Sequence, residues 1–306
     1  MFLMKKDAVK SNTKAAVFIL LGQSNAVGHG LPMDEHDRIT VPLTNVFGLH
    51  RRDNQSFDID RLQWSGYTSD GMNLAEEQDH TYSVANCLAK QWQEHIDRGN
   101  SLGLPDLYII QIAIGAQGVT KRYLWHPGTE QRLTPGVLGV CRISLFSFTN
   151  HIFSMLENSF HEMGKEYEII GVHWRGGEND MCEESSMLHS ELLPIYRVLL
   201  DGFNSHLHTP PVYLHRLLCR DRANDCDPTG VMLKNMEYIN NTFEVLTDEY
   251  ENVSMFDPAE SPRYVPDIRG SGIFMEDGVH FTRVENEWVA ECIIKHFVES
   301  HTDSLP

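Results

Sequence analysis

Positive charge is the scarcest property of this chain. Its 306 residues hold 25 Lys and Arg against 43 Asp and Glu, a formal net charge of −18. So acidic a protein repels a phosphate backbone, which excludes nucleic acid as its expected partner. Long apolar runs are also missing. The longest candidate, Ala15-Ala16-Val17-Phe18-Ile19-Leu20-Leu21, falls far short of the roughly 20 residues a membrane span needs. It runs straight into Gly22-Gln23-Ser24-Asn25 instead of a small-residue cleavage site, so it reads as a buried strand and not as a signal peptide. No membrane partner is expected, and the default location is the cytoplasm. Cysteines are few and scattered: Cys87, Cys141, Cys182, Cys219, Cys226 and Cys292 contain no Cys-x-x-Cys pair and no dense framework. Free thiols are expected, with a Cys219 to Cys226 bridge conceivable only in an exported chain.

What is present is an ordinary globular composition, 41% hydrophobic and 22% charged, at a length compatible with one large domain or two small ones. No repeat, low-complexity tract or linker divides it. Residues 1–14, with Lys5, Lys6, Lys10 and Lys14 among polar neighbours, read as a loose leader, and 15–306 as a single domain.

Short apolar runs bounded by Gly, Pro, Asn or Asp recur at 17–21, 45–49, 107–114, 169–174, 212–217 and 253–256, and read as buried strands. Helical periodicity lies between them. Val84, Leu88, Trp92 and Ile96 form one stripe, and Leu145, Phe148, Ile152, Met155 and Ser159 continue another. Met232, Met236, Ile239, Phe243 and Leu246, then Val289, Cys292, Ile293 and Phe297, repeat the pattern. Strands alternating with one-faced helices predict a three-layer α/β/α sandwich around a mainly parallel, doubly wound sheet. The long polar stretch 28–80 is expected to wall a substrate cleft.

In such a sheet the ligand site lies beyond the carboxyl ends of the strands. The first strand exits into Gly22-Gln23-Ser24-Asn25, where a serine at a strand-to-helix turn can present its hydroxyl beside free backbone N–H groups. The same serine can equally be a helix cap. Near the other end, Asp277-Gly278-Val279-His280 lets an Asp turn back onto the imidazole three residues later, fixing its tautomer. Alone, that spacing also suits a turn or a metal pair. Together the two segments suggest Ser24, Asp277 and His280 as nucleophile, orienting acid and base.

These blocks resemble the SGNH hydrolases, specifically the branch of sialate O-acetylesterases and the acetyl-xylan esterases of carbohydrate esterase family six. Gly22-Gln23-Ser24-Asn25 is similar to its first block and Asp277-Gly278-Val279-His280-Phe281 to its last. Between them, Gly118-Val119-Thr120 followed by Trp125 is similar to a Gly-Gly-Thr…Trp stretch. Trp174-Arg175-Gly176-Gly177-Glu178-Asn179-Asp180 is similar to Trp-x-Gln-Gly-Glu-x-Asp. Val119 stands where the branch has a second Gly, and Gly176 where it has Gln.

The resemblance spans about residues 15–298 and implies a flavodoxin-like SGNH fold and a cofactor-free serine esterase. Its substrate would be a small-molecule or polysaccharide acetyl ester, such as sialic acid or an acetylated polysaccharide, attacked through an acetyl-enzyme. It implies an oxyanion hole from the Ser24 and Gly118 backbones, with Asn179 either replacing the missing Gln donor or simply ending a turn. Gln23 and Trp125 are the candidate substrate contacts, Trp125, Trp64 and Tyr123 being aromatics that either stack on a sugar or pin their loops to the core. Glu178 reads as a hydrogen-bond anchor. His206 and His208 lack further ligands nearby, so no metal is expected. The rivals are a binding or structural module that has lost activity on the same fold, and an SGNH esterase acting on a non-sugar ester.

Overall fold

The computed structural model describes residues 14–49, 61–69, 74–75, 81–128, 144–265 and 272–301. Most of the predicted leader, Cys141 and parts of the 28–80 stretch lie outside the described residues. All six predicted strands form. They are β1 (Ala15–Gly22), β2 (Val46–Leu49), β5 (Leu107–Ala113), β6 (Tyr167–Arg175), β7 (Val212–His215) and β8 (Val253–Phe256). Two short strands join them, β3 (Trp64–Gly66) and β4 (Leu74–Ala75). The sheet order is β3-β2-β5-β1-β6-β7-β8, with β4 paired to the end of β5. Every pairing is parallel except the β2 to β3 edge. The predicted doubly wound three-layer sandwich is the observed architecture.

β1 is central and wholly buried. Its period of two sends Val17, Ile19 and Leu21 into one apolar layer and Ala16, Phe18 and Leu20 into the other. The second layer is closed by α2 (Val84–Asp97) and α8 (Arg283–His301), which pack on each other. The first is closed by α3 (Leu145–Ser154), α4 (Leu156–Glu162), α5 (Ser185–Leu207) and α7 (Val231–Glu249).

Three details depart from the pattern expected from sequence. The stripe 145–159 is two helices, because Met155 N–H bonds the Ile152 carbonyl three residues back and tightens the turn. Helix α5 was not among the predicted helices. Its buried stripe Leu188, Leu192, Ile195, Leu199 and Phe203 is regular, but Pro194 sits inside it, and a proline there removes a helical donor. His206 lies in the last turn of that helix and His208 caps it, with a left-handed φ of 57° and its imidazole 3.8 Å from Glu157. Among the described residues no helix is long and apolar enough to cross a membrane.

Candidate active site

The site begins with the sharp exit from β1. Gly22 has φ 138°, and a Cβ on it would lie 2.0 Å from the Arg175 carbonyl oxygen on β6. Only glycine allows the strands to stay this close while the chain turns. The Gly22 carbonyl accepts the indole N–H of Trp125 at 3.0 Å, and Gln23 N–H bonds the Arg175 carbonyl at 3.0 Å. Ser24 then opens a single-turn helix, α1 (Ser24–Val27), closed by Gly28 at φ 83°. As the first helical residue, Ser24 has no partner for its backbone N–H within the helix.

The buried neighbours of Ser24 are both tied to one carboxylate. Glu178, just beyond β6, accepts Gln23 Nε2 on Oε2 and Asn25 Nδ2 on Oε1, the latter at 2.6 Å. Asn25 then reaches across to the opposite segment. Its Nδ2 also donates to the Val279 carbonyl at 3.0 Å, while its Oδ1 accepts Phe281 N–H at 3.1 Å. One side chain therefore clamps the backbone on both sides of His280, and it belongs to the residue after Ser24. Glu178 is the anchor its place in the sequence suggested.

Asp277 and His280 meet as their spacing predicted. Asp277 Oδ2 is 2.5 Å from His280 Nδ1, and Oδ1 accepts the backbone N–H groups of Val279 and His280, each at 3.0 Å. Burial pushes the Asp277 carboxyl up, but these backbone donors and the imidazole outweigh it and hold it below the ordinary carboxylate range. With Nδ1 engaged, Nε2 is the nitrogen left for chemistry.

Ser24 and His280 line the same cleft of about 510 Å³, with no hydrogen bond between them. Gln23, Glu178 and Asn179 line it too. Asn179 precedes a short 3-10 turn, Asp180–Cys182, yet its side chain makes no cap bond; its Nδ2 donates to Gln23 Oε1 at 2.8 Å. One N–H of that amide remains uncommitted.

Two expectations need correction. Gly118 does not line the cleft, whose wall from the segment after β5 is Gly115 and Ala116. Gly118 is packed against Asp180, where a Cβ would lie 2.4 Å from Oδ1. Asp180 is fully buried and accepts Val119 N–H at 3.0 Å and Thr120 N–H at 3.3 Å. Burial raises its pKa to about 7 despite those two donors. Glycine is needed at 118 for close packing on a carboxylate, not for access to a ligand.

Trp125 is the second correction. It is fully buried, bonded to Gly22 and edge-on to Trp174 at 4.9 Å. It supports the β1 turn from inside and presents no face for stacking. Trp64 is partly buried on the edge strand β3, its indole bonded to Ser159 Oγ among Tyr108 and Phe160, so it pins its own segment to the core. Tyr123 is half-buried behind Asn179, its hydroxyl donating to the Asn179 carbonyl at 3.4 Å. Cys219 is a buried free thiol and Cys226 an exposed one. Among the described residues no group of three or more His, Cys, Asp or Glu side chains is arranged to hold a metal.

Several residues of the site carry no signal in the sequence. Asn25, buried beneath the cleft, stands inside the first block, but its bonds to a segment 254 positions away are not local. His29 is exposed, with its ring 4.9 Å from that of His280. Arg222 and Cys226 enter from α6 (Arg220–Cys226), Met232 from α7, and Met181 and Cys182 from the turn after β6.

No protein-family model matches the chain, and no match is found among curated proteins. Among solved structures it is similar to NanS, with TM-score 0.54 and 15% identity over 95% of this chain and 97% of that one. It is also similar to a protein from Arabidopsis thaliana, with TM-score 0.57 and 14% identity over 94% and 99%. A weaker likeness, TM-score 0.43 at 12% identity, is to Est24, a carbohydrate acetylesterase from Sinorhizobium meliloti. At these identities the likeness is one of fold.

Proposed function

We propose that this chain is a serine esterase that removes O-acetyl groups from a carbohydrate, with Ser24 as nucleophile, His280 as base and Asp277 as its orienting carboxylate. The observation that carries the reading is the Asn25 clamp. It ties the residue after a cleft-lining serine to the backbone on both sides of a histidine whose Nδ1 is already held by a carboxylate. A cap serine and an unrelated turn would have no reason to be joined in this way.

In the proposed reaction His280 Nε2 takes the Ser24 proton as Oγ bonds to the ester carbon, a contact that tightens once substrate is bound. The oxyanion is met by the Ser24 N–H and the uncommitted Asn179 N–H, each donor being worth a few kcal/mol when preorganised. The ester C–O bond then breaks, and His280 gives its proton to the departing sugar hydroxyl. Water, deprotonated by the same nitrogen, releases acetate from Ser24. No step calls for a cofactor. A cleft of about 510 Å³ suits a small ester or one sugar unit of a larger one.

The test is hydrolysis of p-nitrophenyl acetate by wild type, Ser24→Ala and His280→Ala, followed by intact mass after an organophosphate. Loss of activity in both variants with one adduct on Ser24 is expected. A wild type that neither turns over nor takes the adduct would refute the reading and favour a non-catalytic binding module.

A further inference from the structure

We propose that Cys182 and Cys226 form a modification site in the wall of the cleft, a dithiol that a small organic disulfide such as oxidised glutathione converts into a bridge that obstructs the site. The bridge rests on the placement of the thiols alone, and its effect on turnover rests on the esterase reading above.

Cys182 ends the short turn after β6, Cys219 is the N-cap of α6 and Cys226 is the last residue of that helix. These thiols are not equivalent. The seven residues of α6 hold Cys219 and Cys226 about 10 Å apart along its axis, beyond the roughly 7 Å between Cα atoms that a disulfide can span. Cys219 is also buried, with Sγ 3.5 Å from Met181 Sδ, and burial pushes its thiol far up, so it is inert. Cys182 and Cys226 are both exposed, and both line the cleft.

One helix holds this pair in place. The buried Asn235 of α7 donates Nδ2 to the Met181 carbonyl at 2.9 Å and to the Glu183 carbonyl at 2.8 Å, the two residues that flank Cys182. Asp227, which follows Cys226, caps the start of the same helix, its Oδ2 accepting Met232 N–H at 2.9 Å. Met232 and Asn235 are three residues apart on α7, so they are neighbours on one face. The two cysteines are thereby fastened over the same turn of α7, with their thiols open to the same cleft. Their sulfurs also sense each other. Burial raises the Cys182 thiol and Cys226 adds to that, while the Arg122 and Arg222 charges pull it down.

In the exchange, the Cys226 thiolate attacks one sulfur of the small disulfide and displaces a thiolate, leaving a mixed disulfide. The Cys182 thiolate then attacks Cys226 Sγ and displaces the second. Two electrons pass from the cysteines to the small disulfide, which takes up their two protons and leaves as two thiols. Cys182 N–H bonds the Asn179 carbonyl at 3.1 Å, so the new bond pulls on the residue proposed to meet the oxyanion.

The test treats the protein with oxidised glutathione, alkylates the remaining thiols and maps non-reduced peptides by mass. Beside it, kcat/KM on p-nitrophenyl acetate and the rate of His280 modification by diethyl pyrocarbonate are measured, the second needing no turnover. A peptide pair joined through Cys182 and Cys226 is expected, with slower His280 modification and a loss of about tenfold or more in kcat/KM, all reversed by dithiothreitol. In Cys226→Ser the ratio of oxidised to reduced activity is expected to stay at one, and Cys182→Ser to stop at a glutathione adduct on Cys226. If no form hydrolyses the ester but the bridge forms and slows His280 modification, the esterase reading fails and this inference stands. If Cys182 and Cys226 stay free or end as separate adducts, or the bridge leaves both rates unchanged in an active enzyme, the inference is overturned while the esterase reading survives.

Discussion

Removing the Asn25 side chain should separate the two halves of the site without touching either reacting group. In Asn25→Ala, three hydrogen bonds are lost: those to Glu178 at 2.6 Å, to the Val279 carbonyl at 3.0 Å and from Phe281 N–H at 3.1 Å. The Phe281 N–H is buried, so leaving it without an acceptor costs about 1–3 kcal/mol. The bond to the Glu178 carboxylate adds about 1.5–3 kcal/mol, and the Val279 carbonyl little, since that residue is only half-buried. A loss of about 2.5–6 kcal/mol is smaller than most of the roughly 5–15 kcal/mol range of a typical domain, so the variant should remain folded and measurable. The Asp277 to His280 pair is held by its own loop, through Asp277 Oδ1 and the Val279 and His280 N–H groups, and should move as one body. A drift of about 1 Å relative to Ser24 is worth roughly 10²-fold in rate. The assay is kcat/KM on p-nitrophenyl acetate beside urea denaturation of the same preparations. A folded variant within twofold of wild type, or one no less stable, would refute the coupling.

Asp277→Asn should lower kcat on the order of 10³- to 10⁴-fold, because the amide cannot hold the tautomer that leaves Nε2 free to accept a proton; a drop below tenfold would remove Asp277 from the mechanism. Trp125→Phe should cost about 1–3 kcal/mol in urea denaturation through the lost bond to Gly22, with KM unchanged. A raised KM at intact stability would instead restore Trp125 as a substrate contact. Stability should also fall in acid. His173 and His215 form a buried pair at 2.9 Å, and burial, helped by the Arg175 charge, pushes His173 down to about 3. Since the unfolded imidazole takes its proton at about 6.5 and the folded one does not, stability is complete above that pH and drains as pH falls toward 3. Between pH 6.5 and 5 the loss is about 2 kcal/mol from His173, at about 1.4 kcal/mol per unit. His173→Gln should flatten the slope over this window, and an unchanged slope would show that other groups carry it.

Fold class was open to reading from sequence because its signals are local. Alternating strand residues such as Val17, Ile19 and Leu21, and helical stripes such as Val84, Leu88 and Trp92, announce their periods within a dozen residues. Pro194 hid α5 because a helix tolerates an interior proline only when tertiary packing makes up for the lost donor, and packing is not a local property.

Within the site, the sequence alone determined what short spacing can determine: a serine at a strand exit, and an Asp that folds back over three residues onto His280. Tertiary structure decided the rest. It put Asn25 on both flanks of His280, across 254 residues, and brought Arg222 of α6 into the wall of the cleft. It also turned Trp125 inward, where its indole N–H joins the Ile114 N–H as a donor to the Gly22 carbonyl at the tight β1 exit. The physical reason is the same in each case. Backbone groups stranded by a sharp turn, and side chains from elements far apart in sequence, find their partners only when distant segments are brought together.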